Sequence, residues 1–356
     1  MKIVYAGPLD EGGTCLSRYN ALTNIEEKVE PFNTLAYLGR ASRWQRLCEV
    51  LISSSRRFRQ ANEALLKLCA SVEAGVLWVD KGFWIWPSTL KMLRRRGVFL
   101  VQHHTDALWP LRSNFWLKQR SLRSTLALYD LYFTTNLYDY EAIKRQGIVR
   151  TELTSLGYDP ERFNNQPSHR EIDAQLATKL LFVGHHELRT EAGMVALAKA
   201  GLPLTVYGSG WHKATHKRQL EGAIKCRQLN NEEYIHSLKQ ATIGLCFVSE
   251  INRNQTAARS FEIPASGTFL LAMRTPQHSE CYVEGKEAEF FDGPEELVRK
   301  ARFHLENDGR RREIARQGHE RCVRSDYSWN RFMRDDWAKV LKVLSPHRSR
   351  QMQTNL

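Results

Sequence analysis

The chain has 356 residues, of which 42% are hydrophobic and 26% are charged, the balance of a soluble globular protein that can bury a sizeable core. Its formal net charge of +13 suits nucleic acid, an anionic membrane surface or phosphorylated ligands, and charge alone does not choose among them. The seven cysteines are scattered without a CxxC pair, which argues against a disulfide framework or a structural zinc site and fits a reducing cytosol.

No segment approaches the ~20 apolar residues of a membrane-spanning helix, and the apolar run at the N-terminus is too short for a signal peptide. We therefore expect a cytoplasmic protein that is soluble or peripherally attached to a membrane.

Short apolar runs alternate with amphipathic stretches along the chain. Near-continuous apolar runs are typical of parallel strands that are covered on both faces. They predict strands at 2–6, 76–79, 98–102, 131–134, 180–183, 204–207, 243–247, 268–272 and 289–291. Helical patterns lie between them at 43–51, 60–70, 190–200 and 232–240. This alternation predicts βαβ units and an α/β fold.

A polar segment at 157–170 with two prolines interrupts the alternation and is the best candidate for a domain boundary. A new strand follows it, so we expect an N-terminal domain over 1–165 and a second α/β domain over 170–327. The last residues, 346–356, are polar and basic, and they predict a disordered tail.

Glycines follow several of the predicted strands. Gly12 and Gly13 come after the first strand and before a helix, and Tyr207-Gly208 closes the strand at 204–207. Glycine lets the backbone approach a ligand closely, and a helix N-terminus favours anions. The spacing is not GxGxxG, so the dinucleotide fingerprint is absent, and each loop is also explained as a simple turn.

Gly184 ends the strand at 180–183 and is followed by a polar loop that contains Arg189. An arginine at this place can hold a diphosphate through two parallel hydrogen bonds. The alternative is a surface arginine near the start of a helix.

The strand at 98–102 continues into His103-His104-Thr-Asp106. Adjacent strand residues point to opposite sides of the sheet, so we do not expect the two histidines to coordinate one metal ion together. One of them can face a cleft as a polar contact or general base, with Asp106 orienting it. A capped strand end with one buried histidine explains the same residues equally well.

The stretch from Thr256 to Met273 predicts a short helix that carries Arg259 and Glu262, then a turn and a buried strand. At the carboxyl edge of an open α/β sheet, a carboxylate can accept hydrogen bonds from ribose hydroxyls and an arginine can pair with phosphate. The alternative is a packed helix with two solvated charges.

Basic clusters at 56–59, 94–96 and 310–312 have the composition of solvated faces. The stretch at 109–123 mixes aromatic and basic residues, a composition that suits a membrane interface or a polyanionic acceptor. It contains no recognised nucleic-acid-binding motif, so nucleic acid is not the expected partner.

These motifs together resemble, in order, the glycosyltransferase group 1 proteins, and within them the CgeB-like (spore maturation) branch. The resemblance rests on 256–267, 284–287 and 295–297, and on earlier segments at 79–82, 156–163, 183–189 and 207–208. It covers roughly residues 1–340. It implies a GT-B fold, in which two Rossmann-like parallel-sheet domains face each other across a cleft, with the donor nucleotide-sugar in the C-terminal domain and the acceptor in the N-terminal one.

By this resemblance Glu262 binds the donor ribose, Arg189 contacts the diphosphate, and Thr256 and Arg259 belong to the same donor site. Gly12 and Gly13 approach the donor from the other side, and a C-terminal helix at about 328–345 returns to the N-terminal domain. The fold requires neither a metal ion nor a cofactor, because helix dipoles and basic side chains neutralise the leaving diphosphate.

One residue departs from the pattern of the family. Retaining members carry two glutamates eight positions apart; Glu262 matches the second, but Asn254 occupies the first. Asparagine can hydrogen-bond a sugar hydroxyl but cannot stabilise positive charge as a carboxylate would. The resemblance therefore does not decide between retention and inversion.

The leading hypothesis is a metal-independent transfer of a sugar from a nucleoside diphosphate to a surface-glycan or lipid-linked acceptor. A protein that binds nucleotide-sugars without transferring them, a basic module that binds membranes or polyanions, and an epimerase of the same fold are the alternatives.

Overall fold

The computed structural model describes residues 1–39, 42, 45, 49, 55–111, 119–164 and 179–354. The predicted helix at 43–51 and part of the stretch at 109–123 lie largely outside these residues. The chain divides into two compact units. The N-terminal unit comprises Met1–Ser155, Ile251–Asn254 and Trp329–Leu356, and the C-terminal unit comprises Leu156–Glu250 and Gln255–Ser328.

The N-terminal unit is built on a six-stranded parallel sheet of order β2-β1-β3-β4-β5-β6. Its strands are β1 (Ile3–Gly7), β2 (Val29–Asn33), β3 (Val76–Asp80), β4 (Phe99–His104), β5 (Leu131–Thr134) and β6 (Thr151–Leu153). The central strands β1, β3 and β4 are buried along their whole length. Burial on both faces is the reason that these strands are continuous apolar runs in the sequence.

Helices cover both faces of this sheet. They are α1 (Thr14–Thr23), α2 (Leu35–Leu38), α3 (Arg56–Ser71), α4 (Pro87–Arg95), α5 (Arg120–Thr125), α6 (Leu137–Gln146) and α14 (Trp329–Thr354). The apolar side chains of α3 and α4 pack with Leu77, Val79 and Leu100 in one core. Helix α14 contacts α1, and it continues to Thr354 through the segment for which the composition predicts disorder.

The C-terminal unit is built on a five-stranded parallel sheet of order β11-β10-β9-β7-β8. Its strands are β7 (Leu180–Val183), β8 (Leu204–Tyr207), β9 (Ile243–Cys246), β10 (Phe269–Met273) and β11 (Glu289–Phe291). Its helices are α7 (Pro160–Asn164), α8 (Leu188–Lys199), α9 (Asn231–Gln240), α10 (Arg259–Ala265), α11 (Pro276–Cys281), α12 (Pro294–Glu306) and α13 (Asp308–Arg324).

The prediction of an α/β fold with two parallel sheets is confirmed, and all nine predicted strands are present within two residues of their predicted bounds. The six cysteines among the described residues are free. Within the described ranges, no helix has the length and hydropathy needed to cross a membrane.

Candidate functional site

The order of the C-terminal sheet defines where a ligand can bind. The sheet grows from β7 to β8 on one side and from β7 to β9, β10 and β11 on the other. In open parallel sheets, ligands bind outside the carboxyl ends of the strands at the point where this direction reverses. In this unit that point lies between β7 and β9, so the loops after these strands and helix α10 are the candidate site.

Two glycines hold the loops after β7 and β8 against each other. Gly184 N–H donates to the Tyr207 carbonyl at 2.9 Å, and the Trp211 indole N–H donates to the Gly184 carbonyl at 2.9 Å. Gly208 has a φ of +126°, and a Cβ on it would lie 2.2 Å from the Gly184 carbonyl oxygen. Close packing of the two loops therefore requires Gly208 whether or not a ligand is bound.

Helix α10 carries Arg259 and Glu262 three positions apart, which places them on one side of the helix. Glu262 is 5% exposed, and the Tyr234 hydroxyl donates to Oε2 of its carboxylate at 2.6 Å. Its Oε1 lies 3.8 Å from Nη1 of Arg162. The carboxylate is therefore fixed in orientation and retains acceptor capacity for a further donor such as a ribose hydroxyl.

Tyr234 and Arg162 are site residues that the sequence analysis did not identify. Tyr234 lies on α9, and Arg162 on α7 donates from Nε to Oδ1 of Asn231, also on α9, at 2.8 Å. Burial and the neighbouring Glu262 carboxylate raise the pKa of Tyr234 well above its usual value. Tyr234 therefore stays protonated and donates to Glu262 at any physiological pH.

Arg259 carries hydrogen-bond donors that the described residues do not use. Its Nε is buried and has no hydrogen-bond partner among them, and its guanidinium lies 6.0 Å from the centre of the Phe182 ring. A Cβ on Gly184 would lie 3.5 Å from its Nη2, so the cation borders the loop after β7. A half-buried guanidinium with unused donors can bind an anion, and a diphosphate matches its geometry.

A buried hydrogen-bond chain holds the first turn of α10. The Ala257 N–H donates to Ser260 Oγ at 2.9 Å, and Ser260 Oγ lies 2.7 Å from Nε2 of His278. Nδ1 of His278 lies 2.7 Å from the Met273 carbonyl, which can only accept, so Nδ1 is protonated and Nε2 accepts from Ser260. Burial lowers the pKa of His278 to about 4, so the ring is neutral at physiological pH.

Arg189 lies in the first turn of α8 and is exposed. The residue before the helix, Glu187, accepts hydrogen bonds from the Ser249 hydroxyl at 2.6 Å and from the Glu250 N–H at 3.1 Å. These bonds connect the start of α8 to the loop after β9. Thr256, also named as a donor residue, is buried just before α10.

In the N-terminal unit, the direction of sheet growth reverses between β1 and β3. Gly12, with a φ of +74°, and Gly13, the residue before α1, lie in the loop after β1. A Cβ on Gly13 would lie 2.8 Å from Oδ1 of Asp10. The backbone requires glycine at Gly12 and close packing disfavours a side chain at Gly13, so the structure explains both without a ligand.

A buried ion pair lies beneath this edge of the sheet. Nε and Nη2 of Arg18 lie 2.8 and 2.7 Å from Oδ2 of Asp80, and the Tyr5 hydroxyl donates to the same oxygen at 2.8 Å. Burial alone would raise the pKa of Asp80, but the Arg18 guanidinium holds it at about 2. The Arg18 side chain also lies 4.7 Å from the centre of the Trp329 ring.

His103 and His104 are both buried at the end of β4. His103 is stacked 6.1 Å from Trp78, and its Nε2 lies 4.0 Å from Asp336 on α14. Burial lowers the pKa of His103 to about 3, so it is a neutral ring between β4 and α14. His104 faces the opposite side of the sheet by strand alternation, and its ring nitrogens have no hydrogen-bond partner among the described residues.

Burial also lowers the pKa of His104, and the carboxylate of Asp106 opposes this effect. Both histidines are buried, and the ring nitrogens of His103, like those of His104, have no hydrogen-bond partner among the described residues. They differ in their charged neighbours, since His103 lies near Asp336 and the charge of Asp106 acts on His104. Among the described residues, no group of three or more His, Cys, Asp or Glu side chains is arranged to hold a metal ion.

Asn254 belongs to the segment Ile251–Asn254, which is part of the N-terminal unit. The Leu111 N–H donates to the Ile251 carbonyl at 3.0 Å, and the Arg253 guanidinium lies 3.8 Å from the centre of the Tyr138 ring. Asn254 Oδ1 is buried and has no hydrogen-bond partner among the described residues. It is an available acceptor for a hydroxyl.

Comparison with known proteins supplies the fold, and a family model matches part of the chain. Residues 189–335, which include Arg259 and Glu262, match the model of a family described as glycosyl transferase-like. A search of curated proteins found no significant match.

Solved structures that cover nearly the whole chain include the three that follow. Sucrose-phosphate synthase from Thermosynechococcus elongatus is 12% identical over 97% of this chain and 100% of that one, with a TM-score of 0.68. HepE from Anabaena, solved with UDP-glucose, is 13% identical over 96% and 99%, with a TM-score of 0.66. A putative UDP-N-acetylglucosamine 2-epimerase from Listeria monocytogenes is 12% identical over 98% and 97%, with a TM-score of 0.60. These likenesses show the GT-B fold.

Proposed function

We propose that this protein, a glycosyltransferase by its family match and its GT-B fold, moves a sugar from a nucleoside-diphosphate donor to a surface-glycan or lipid-linked acceptor. The observation that carries the proposal is the placement of Arg259 and Glu262 on α10, at the edge of the C-terminal sheet where its strand order reverses. HepE, which shares the fold, was solved with UDP-glucose, and this supports a nucleotide-sugar as the donor.

Each donor residue has a defined task in this proposal. Glu262, oriented by Tyr234, accepts hydrogen bonds from the ribose hydroxyls. Arg259 binds the diphosphate with its unused guanidinium donors, and Arg189 adds a second cation from the first turn of α8. The attraction between both arginines and the diphosphate increases as negative charge develops on this leaving group. The arginines therefore stabilise the transition state more than the bound donor.

The transfer step breaks the bond between the anomeric carbon and the diphosphate oxygen and forms one to the acceptor oxygen. The acceptor hydroxyl loses its proton, and His104 beside Asp106 is the proposed general base in the N-terminal unit. Asn254 is proposed to hydrogen-bond a sugar hydroxyl. We propose that the arginines, rather than a metal ion or cofactor, neutralise the diphosphate.

The resemblance at 256–267 and 284–287 supports the CgeB-like branch of the family, and the scattered cysteines without a CxxC pair support a cytoplasmic protein. The lipid-linked acceptor of the proposal would place it at the inner face of the membrane. A second candidate function is nucleotide-sugar binding without transfer. Asn254, in the position where retaining relatives carry glutamate, favours this alternative.

Incubation with a panel of UDP-, GDP-, ADP-, CDP- and dTDP-sugars in EDTA, with a lipid extract as acceptor, tests the proposal. We expect one donor to release its nucleoside diphosphate and label the lipid fraction, and Arg259→Gln to abolish the release. Tight donor binding with no turnover would support the binding protein instead. Turnover that disappears in EDTA and returns with magnesium would refute metal independence.

A further inference from the structure

The positive charge of the chain belongs to one of its two units. The N-terminal unit contains 29 Lys and Arg against 16 Asp and Glu, whereas the C-terminal unit contains 23 of each. The formal charge of +13 is therefore carried wholly by the N-terminal unit. The unit proposed to bind an anionic nucleotide is neutral overall, so donor binding does not account for the excess charge, which favours an extended anionic partner of the N-terminal unit.

Helices α3 and α4 concentrate this charge. They pack side by side in the N-terminal unit, and residues 56–71 and 87–96 contain eight basic residues against one acidic residue, Glu63. Arg94 pairs with Asp130 at 3.2 Å, and Arg57 pairs with Glu49 at 3.3 Å.

The remaining six cations form no ion pair with another described residue and are exposed; they are Arg56, Arg59, Lys67, Lys91, Arg95 and Arg96. Residues four positions apart lie on the same side of a helix. On α4 this spacing places Lys91 next to Arg95, and Arg96 next to the apolar Met92.

Apolar side chains are exposed among these cations. Met92 on α4 is 42% exposed, and Phe83, in the turn before α4, is 43% exposed. The Phe83 ring contacts Phe58 of α3 edge-on at 6.1 Å, so it lies at the junction of the two helices. Cations on the same helices as exposed apolar side chains match the boundary between lipid headgroups and acyl chains, whereas a polyanionic glycan or nucleic acid uses the cations alone.

We propose that the exposed side of α3 and α4, here called the basic face, docks the N-terminal unit onto an anionic lipid bilayer. The six cations attract the headgroups, and Met92 and Phe83 enter the interface. The docking is independent of nucleotide. The view that it brings the enzyme to a lipid-linked acceptor rests on the proposed function.

Sedimentation with vesicles, without donor or acceptor, tests the basic face separately from catalysis. The test variant is Lys91→Gln/Arg95→Gln. Its matched control is Arg334→Gln/Lys342→Gln, which removes the same charge from exposed positions of α14. This helix lies near His103, whose side chain faces away from the side of the sheet that α3 and α4 cover. With vesicles of mixed phosphatidylcholine and phosphatidylglycerol, the test variant should bind about 30-fold more weakly than wild type, and the control should stay within about twofold.

Equal losses of vesicle binding in both variants would show that only the total charge matters. This result would overturn the proposal that the basic face docks on the bilayer. Met92→Ser should weaken binding to the vesicles and leave retention on heparin unchanged. A wild-type protein that binds heparin but not the vesicles would assign the face to a polyanionic glycan and overturn the membrane proposal. Sugar transfer to a detergent-solubilised acceptor should persist in the Lys91→Gln/Arg95→Gln variant, so failure of the docking and failure of the proposed function are distinguishable.

Discussion

Replacement of Glu262 by glutamine provides the sharpest test of the donor site. The substitution preserves the size of the side chain and an oxygen that can accept from Tyr234, but it removes the negative charge. A hydrogen bond to a charged group contributes about 1.5–3 kcal/mol and one between neutral groups about 0.5–1.5 kcal/mol. If each carboxylate oxygen receives one ribose hydroxyl, the loss is about 2–3 kcal/mol, or about 30- to 150-fold in Kd.

Titration calorimetry with the nucleoside diphosphate of the active donor measures this loss directly. The matched control is Glu232→Gln, because Glu232 is an exposed carboxylate on α9, the helix that carries Tyr234. Tyr234→Phe leaves the charge but removes the hydroxyl that orients it, so we expect a loss smaller than that of Glu262→Gln. Wild-type affinity in Glu262→Gln, with a folded protein, would refute the assignment of Glu262 to the ribose.

Three further predictions concern other parts of the structure. Arg259→Gln should weaken binding of the nucleoside diphosphate by about 10- to 150-fold and leave that of the nucleoside unchanged, and equal losses for both ligands in calorimetry would contradict a diphosphate contact. The pKa of His278 is about 4 in the folded chain and near 6.5 when unfolded, so its contribution to stability is complete above pH 6.5 and is lost as the pH falls towards 4. The difference in pKa corresponds to about 3 kcal/mol in the free energy of unfolding. His278→Gln should therefore flatten the fall in Tm between pH 6.5 and 4, and an unchanged slope would contradict the burial of a neutral ring. Arg18→Met should cost about 3–5 kcal/mol in urea unfolding because it leaves Asp80 buried and unpaired, and Arg18→Met/Asp80→Leu should be the more stable of the two, so a less stable double variant would contradict the argument.

The sequence predicts the strands of both sheets well where they are buried on both faces. Two strands were missed, and both lie at sheet edges. In β2 only Val29 and Phe32 are buried, and Pro31 lies between them, so the strand lacks a continuous apolar run. β6 has three half-buried residues and is defined by its pairing with β5. Edge strands that are partly solvated carry little of the pattern that identifies central ones.

The sequence pattern supports an expectation for the donor site only where the residues are neighbours in the chain. Arg259 and Glu262 share one helix, so their proximity follows from helical spacing, and their roles stay predictions. Tyr234 and Arg162 reach Glu262 from other helices, 28 and 100 positions earlier in the chain. Neither position carries a local signal, because a tyrosine in an amphipathic helix and an arginine in a polar segment have ordinary explanations.

Strand alternation predicts that His103 and His104 lie on opposite faces, but it does not predict what covers each face. Asp336, 4.0 Å from His103, comes from α14, more than 200 residues later. Asn254 presents the same difficulty, since it is eight positions before Glu262 but belongs to the other unit. Long-range assembly decides the surroundings of these residues.

The return of α14 to the N-terminal unit has a consequence for biosynthesis. Trp329, Met333, Trp337 and Val340 of this helix are almost completely buried, and the Trp337 indole N–H donates to Glu26 at 2.8 Å. A nascent chain that has only reached residue 155 lacks these side chains, so the face of α1 that they cover stays exposed on the ribosome. The unit that begins first is therefore the last to be completed, and removal of residues 329–356 should leave a chain that chaperones retain.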